Sequence, residues 1–508
     1  MHSATSSTVD GVLRRSAARS PERTALVFED RTWTYGDLDA AVTRAAVRLL
    51  GLGAAPGDRV AAYGRNSDAY LIAFLACARA GLVHVPLNFA LRGEELAYLL
   101  EQSGSTIVLA DPDLRGAVDA LRAEAGGEQV LELRDGPGSL LADSSQGPVP
   151  ELDVRAGDDD LVQLLYTSGT TSRPKGAMMT HRALVHEYLS CAVGLDLSAE
   201  DEPLHAMPLY HSAQMHVFLM PWLAVGARNT LVETPDPADL LARIETGRHG
   251  AFFAAPTLWV AMEGHPDFSR RDLSSLRKAY YGASIMPGPV LDRLRSTLPG
   301  LGFYNCFGQS EIGPLATILR PEEHAARPAS AGRAALFVEL RVVDDKGRQV
   351  EPGELGEVVY RSPQLCQGYW DKPQETEEAF RDGWFHSGDL VRIDAEGYIE
   401  VVDRIKDVIN TGGVLVASRE VEDVLYTHPG VAEAAVVGVP DDRWIEAVTA
   451  FIVPTGEADA ETLPDELVGH VRARLAHFKV PKEVRVVDGL PRNASGKILK
   501  RELRDRVS

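Results

Sequence analysis

The sequence predicts an α/β protein: a large N-terminal region of doubly wound mixed sheets with a small β-barrel-like subdomain, followed by a small α+β C-terminal domain. Three observations predict it. Strand-like and helix-like patterns alternate over residues 1–160, which implies a largely parallel sheet covered on both faces. Several later strands run into Gly/Ser loops, the ends from which a doubly wound sheet builds a crevice at its carboxyl edge. From Leu336 the pattern switches to short strands and turns, and past Asp403-Arg404-Ile405-Lys406-Asp407 it becomes a compact mixed unit.

At 508 residues the chain can form about two to four domains. Ala25-Leu26-Val27-Phe28 reads as a strand, Glu29-Asp30-Arg31 as a turn and Thr32 to Tyr35 as the return strand. Thr34-Tyr35-Gly36-Asp37-Leu38 opens an amphipathic helix with apolar positions at Leu38, Ala41, Val42, Ala45, Leu49 and Leu50. Val60 to Tyr63 and Ile107 to Ala110 are further strands. The most apolar window, Ala69 to Leu87, contains Arg79, Gly81 and Pro86 and reads as a helix followed by a strand, not as a membrane span. Glu132 to Asp160, dense in Gly, Pro and Asp, is expected to be surface connection.

Leu161 to Tyr166 reads as a buried strand. It leads into Thr167-Ser168-Gly169-Thr170-Thr171-Ser172-Arg173-Pro174-Lys175-Gly176, a loop of N–H groups, hydroxyls and cations suited to polyphosphate. This is not the common P-loop, because Lys175 follows Pro174 and precedes Gly176. Leu184 to Leu195 is helical. His211 follows in Met207-Pro208-Leu209-Tyr210-His211, and on its own such a histidine is ordinarily a satisfied core residue. Ala251 to Ala255, Lys278 to Ser284 and Phe303 to Glu311 are strands that end in turns. After the charged break, Ser418 to Tyr426 and Leu463 to Ala476 read as helices, with strands at Ala432 to Val439 and Ala447 to Val453. Pro491-Arg492-Asn493-Ala494-Ser495-Gly496-Lys497 sets a lysine on a terminal turn.

The 52 basic and 73 acidic residues give a formal charge of −21, which repels phosphate backbones and anionic membranes. Nucleic acid is therefore not an expected partner, and an anionic substrate needs a local positive site. Cys77, Cys191, Cys306 and Cys366 are far apart without metal-ligand spacing, as expected for reduced thiols without structural zinc. Met1 to Asp10 lacks the apolar core of a signal peptide, and a cytoplasmic location without an integral membrane segment is expected. The sequence sets no oligomeric state and is compatible with a homodimer.

Over roughly residues 20 to 505 the chain resembles the acyl-adenylating superfamily of acyl-CoA synthetases, luciferases and peptide-synthetase adenylation domains. The resemblance rests on the loop Tyr166 to Gly176, Phe307-Gly308-Gln309-Ser310-Glu311, Ser387-Gly388-Asp389, Asp403 to Asp407 and Pro491 to Lys497. It implies ATP, Mg2+ and CoA, and two half-reactions: a carboxylic acid becomes an acyl-adenylate with release of pyrophosphate, then a thioester. It implies a boundary between an adenylate-forming part, 1–403, whose β-rich subdomain covers about 336–402, and a mobile lysine-bearing part, 404–508. Lys497, His211, Thr170 and Glu311 are then the expected catalytic side chains, with Thr167 and Glu311 on Mg2+. Phosphates and nucleotide fall to Thr167, Ser168, Gly169, Thr170, Thr171, Lys175, Gly308, Gln309, Ser310, Arg404, Lys406 and Lys497. Adenine falls to Gly282, Ala283, Ser284, Asn305 and Phe307, and the ribose to Asp389. His211, Gln214 and Met215 are assigned to the acyl pocket, and the Gly412-Gly413 turn to the thiol tunnel once the tail has rotated near Lys406. The chain departs from the family at Ser172, where Gly is usual, at Phe307, where Tyr is usual, and at Ser418, where Pro is common.

No acid occurs between Met207 and Val225 to pair an α-ammonium, which argues against amino-acid substrates. The apolar run there suits an alkyl or aryl chain. Medium- or long-chain fatty acids rank first, benzoate- or cinnamate-type acids second and short dicarboxylates third. An acyl-AMP ligase loading a carrier protein and a degenerate nucleotide sensor are the alternatives.

Overall fold

The computed structural model describes residues 7–125, 129–153, 156–167, 173–283, 286, 288–441, 443–456, 458–492 and 498–507. Two large sheets build the N-terminal region. In one the strand order is Gln129–Glu132, Ser105–Ala110, Arg59–Tyr63, Val83–Leu87, Leu161–Thr167, Lys175–Thr180, parallel up to the last, antiparallel pair. The other runs from Arg333–Ala334 through Thr317–Leu319, Gly302–Phe307, Lys278–Gly282, Ala251–Ala254, Pro203–His205 and Asn229–Leu231 to Thr24–Phe28 and Arg31–Thr34. It is parallel at its centre and antiparallel at both edges.

The helix Asp68–Ala80 touches Thr24–Phe28 of one sheet and Arg59–Tyr63 of the other. Every one of its residues is buried, which accounts for the apolar window in the sequence. Ser67 caps its start by accepting from the Tyr70 N–H at 3.1 Å, and Gly81 ends it in the left-handed conformation at φ 67°. Burial on all sides leaves Arg79 no route to water. Its guanidinium instead meets Asp10 at 2.7 Å, Asp39 at 2.5 Å and the Thr43 hydroxyl at 2.6 Å, tying three helices together.

The stretch expected to be surface connection, Glu132 to Asp160, contains a helix. Leu140–Ser145 is capped by Ser139, and Leu140 and Leu141 join the main core. Its brevity hid it: two buried leucines in a Gly- and Asp-rich segment leave no readable period.

Glu339–Val343, Leu355–Arg361, Phe380–Arg381, Trp384–Ile393 and Ile399–Arg404 form an antiparallel sheet in which Trp384–Ile393 pairs with three neighbours. The pairing among the described residues is open and branched. Past the turn Ile405–Asp407, another sheet is built from Val414–Val416, Ile409–Thr411, Ile445–Pro454, Val431–Asp441 and Glu483–Val486. Helices Ser418–Leu425 and Leu463–Arg472 cover one face through Val421, Leu425, Leu467 and Val471, and Lys500–Asp505 covers the other through Leu503. Among the described residues no helix is long and apolar enough to cross a membrane.

Replacing Arg79 by Ala removes one of the two cations on Asp10, whose other oxygen keeps Arg14 at 2.9 Å, and breaks the contacts to Asp39 and Thr43 in a nearly closed site. The variant should lose about 1–3 kcal/mol in the first urea transition, and an unchanged midpoint would show that the arginine contributes nothing net.

Candidate active site

Strands of both large sheets end at one cavity of about 1970 Å³. Pro86, Asn88, Thr167, Phe253, Gly282, Ala283 and Gly308 through Glu311 line it, all at or just beyond carboxyl ends of strands. Ligands of open α/β sheets bind at such edges. The opposite wall comes from Ser387, Gly388, Arg404 and Lys406, and the tail adds Arg492 and Leu499. Ser168, Gly169, Thr170, Thr171, Ser172, Ser284 and Lys497 lie outside the described residues. Their described neighbours Thr167, Arg173, Ala283, Arg492 and Leu499 all face this cavity.

Thr167 is the last residue of its strand and pairs with Lys175 across the hairpin. The Lys175 ammonium sits 4.7 Å from the centre of the Tyr369 ring. The Tyr369 hydroxyl donates to Glu311 Oε1 at 2.9 Å, and burial together with the Glu311 charge pushes its pKa up, so it remains a donor. Tyr369 was not anticipated, since nothing local marks a tyrosine so far along the chain as a partner of Glu311.

The turn carrying Glu311 is held from behind. Buried Glu187 accepts from the Leu315 N–H at 2.9 Å, and buried Gln364 donates to the Ile312 and Leu315 carbonyls, each at 3.2 Å. Burial raises the Glu187 carboxyl well above the usual carboxylate range. Gly308 must be glycine, because a Cβ there would lie 2.0 Å from the Pro314 carbonyl oxygen. Ser310 and Ser212, from the two sides of the cavity, share a hydrogen bond of 2.9 Å.

Asp389 is fixed by local chemistry. Glu357 accepts from the Gly388 N–H at 2.9 Å, Gly388 takes φ 71°, and the Ser387 hydroxyl accepts from the Asp389 N–H at 3.0 Å. One Asp389 oxygen meets Arg404 at 2.5 Å and the other accepts from the Gln309 amide. The carboxylate is therefore already engaged, and itself nearly buried.

His211 lines the cavity, with its ring Nδ1 accepting from the Ala213 N–H at 3.3 Å. Gln214 and Met215 do not line it in this arrangement. Ala213–Leu219 is a π-helix, whose wider turn rotates the following side chains away from the α-helical expectation. Gln214 is turned inward, accepting from the Met207 N–H at 3.1 Å and pairing with His205 at 2.8 Å, and Met215 joins the core. Val217 and Phe218 face the cavity instead.

Asn305 and Phe307 make other contacts in this arrangement. The Asn305 amide donates to the Ser330 carbonyl at 3.2 Å, and Phe307 packs against a core cluster; neither is part of the cavity wall, to which Cys306 contributes. Gly412 and Gly413, at φ 63° and 85°, form a tail hairpin turn bonded to Trp444 and Asn410 and do not face the cavity in this arrangement.

Thr167 and Glu311 bring hard oxygen donors to the same cavity, and among the described residues no three His, Cys, Asp or Glu side chains are grouped to hold a metal. That donor set fits Mg2+, an ion that takes one or two protein oxygens and fills the rest with phosphate and water.

Comparison with known proteins decides the family. Residues 13–370 match the family model described as AMP-binding enzyme, and residues 420–497 match the AMP-binding enzyme C-terminal domain. The chain belongs to the AMP-binding enzyme family. It is an AMP-forming acid–thiol ligase of the acyl-CoA synthetase kind, and ATP, Mg2+ and CoA are its cofactors and co-substrates. It is 41% identical over 493 residues to a feruloyl-CoA synthase of an Amycolatopsis species, covering 97% of each chain. It is 34% identical to an indoleacetate–CoA ligase of Aromatoleum aromaticum, again with 97% of each covered. The crystal structure of ATP-bound MatB from Rhodopseudomonas palustris superposes with a TM-score of 0.90 at 30% identity, covering 99% of both chains.

Tyr369→Phe removes a hydrogen bond to a charged group, worth about tenfold or more. The variant should raise the KM for ATP by that factor while the KM for the acid moves little, and an unchanged ATP dependence would separate Tyr369 from the nucleotide site.

Proposed function

We propose that this ligase activates aryl carboxylic acids of the cinnamate type and transfers them to CoA. What supports this is the apolar side of the cavity, bordered by Val217, Cys306 and Leu315 and backed by the buried Phe218 and Phe253, whose rings stack with centroids 4.2 Å apart. Flat rings of this kind suit an aromatic acid. The named activities of the feruloyl-CoA and indoleacetate–CoA relatives support it, both being aryl acids. Apolarity alone ranks fatty acids first but does not distinguish an alkyl chain from a ring, and the aryl-acid relatives favour the ring.

The chemistry follows from charge. A carboxylate is a poor electrophile because its leaving group is oxide. Attack of the carboxylate oxygen on the α-phosphorus of ATP forms the acyl–phosphate bond as the bond to pyrophosphate breaks. The CoA thiol then attacks the acyl carbon, its proton passing to solvent, and AMP departs.

Both reactants of the first step are anions, so cations have to line their approach. Lys175 and Arg404 stand on the cavity wall, and Lys497 would contact the carboxylate and α-phosphate together. Thr167 and Glu311 would hold Mg2+ among the phosphates, where it neutralises charge. Thr170, Thr171 and Ser310 would donate to phosphate oxygens, with the Ser168 and Gly169 backbone beside them. Gly282, Ala283 and Ser284 would border adenine. Asp389 would take the ribose hydroxyls by exchanging its bonds to Gln309 and Arg404. His211 would stand at the mouth of the acyl pocket. The chain would act as two units, 1–403 and 404–508, the second turning about Lys406 to bring Gly412 and Gly413 to the thiol's path.

Acid-dependent ATP–pyrophosphate exchange and thioester formation across a panel of cinnamates, benzoates, short dicarboxylates and fatty acids tests the substrate class. Hydroxycinnamates should give the highest kcat/KM, and exchange confined to alkyl acids would overturn the proposal. Lys497→Ala should lower adenylation by on the order of 10²-fold or more while sparing thiolysis of a supplied acyl-adenylate. Equal loss of both steps would contradict a role confined to the first.

A further inference from the structure

Ser418 departs from the family pattern, and the mechanism above leaves it without a task. In the structure it is fully buried at the first turn of the helix Ser418–Leu425, in the tail. Both of its donors point back across the hinge to one carboxylate oxygen. Its N–H lies 2.6 Å, and its hydroxyl 2.7 Å, from Asp403 Oδ2. Asp403 belongs to the strand Ile399–Arg404, paired with the strand that carries Asp389, and its other oxygen accepts from the Arg404 N–H at 2.7 Å. A proline at 418 would have neither donor.

The contact continues to the end of the chain. The Lys500 ammonium donates to Ser418 Oγ at 2.5 Å and meets Glu422 at 2.8 Å. Lys500 opens the terminal helix Lys500–Asp505, close after Lys497 in the sequence, and Arg504 of the same helix meets Asp407 in the hinge turn at 2.6 Å. Arg419, beside Ser418, donates to the Val401 carbonyl across the same boundary. The arrangement held by these contacts is the one in which Arg492 and Leu499, on either side of the Lys497 motif, face the cavity, while Gly412 and Gly413 do not.

We propose that Ser418 and Asp403 form a latch across the hinge that Lys500 couples to the lysine-bearing terminus, making Ser418 a positioning residue for acyl-adenylate formation. The inference rests on the two-step function proposed above. Rotation about Lys406 separates Ser418 from Asp403, so the latch favours the first half-reaction and must open for the second. Charge-assisted hydrogen bonds of this kind shift such an equilibrium by about tenfold, enough to change which arrangement predominates.

Ser418→Pro and Asp403→Asn each weaken the latch from one side, and Ser418→Thr retains it. Single-turnover pyrophosphate release and thiolysis of a supplied acyl-adenylate are measured separately for each variant, with the urea midpoint as a folding control. The expected result is an approximately tenfold fall in adenylation for Ser418→Pro and Asp403→Asn, with thiolysis unchanged or faster. Ser418→Thr should restore adenylation, and the double variant Ser418→Pro/Asp403→Asn should be no worse than either single one. An unchanged ratio of the two steps, or losses that add in the double variant, overturns the latch. Absence of adenylation in the wild-type protein would instead refute the underlying function, so the two failures are distinguishable. Asp403→Asn keeps the side-chain shape and serves if Ser418→Pro does not fold.

Discussion

In the proposed reaction two anions have to meet in this cavity, inside a protein whose own formal charge is −21. That constraint organises the site. Strand ends from two sheets supply backbone, hydroxyl and carboxylate groups, and cations enter from separate places: Lys175 on the hairpin, Arg404 at the hinge, Arg492 in the tail. Each of the three has a partner: Lys175 lies over Tyr369, Arg404 on Asp389 and Arg492 on Glu433. Buried neighbours hold the Glu311 turn from behind, Glu187 through the Leu315 N–H and Gln364 through the Ile312 carbonyl.

Much of this was legible in the sequence because it is written in local terms. The cap at Thr34, the switch from helix to strand within Ala69 to Leu87, and the strand ends at Thr167, Gly282 and Phe307 follow from period and turn chemistry. The motifs around Thr167, Gly308, Asp389 and Arg404 contribute residues to facing walls of one cavity. What escaped was non-local or turned on one residue of phase. In the π-helix at Ala213–Leu219 Gln214 and Met215 turn into the interior while Val217 and Phe218, themselves buried, border the cavity, which no α-helical period anticipates. Tyr369 and Glu187 come to Glu311 and its turn through tertiary packing, and Asn305 spends its amide on Ser330, which sequence spacing does not encode.

The substrate shows the same limit. An apolar run after His211 signals a hydrophobic acid, but the distinction between chain and ring depends on which side chains face inward and how they stack. The hinge repeats the lesson. Ser418 read as a neutral departure until the fold set it against Asp403 and Lys500, where it joins two parts of the chain that the proposed cycle must separate.

The central claim is that one cavity binds nucleotide and aryl acid side by side so that they join. Calorimetric titration with a nonhydrolysable sulfamoyl-adenosine analogue of a hydroxycinnamoyl-adenylate tests it most directly. One analogue per chain should bind, at least about 100-fold more tightly than AMP or the free acid, as expected for a mimic of the bound intermediate. Binding no tighter than AMP alone would show that the acid has no place beside the nucleotide and would contradict it.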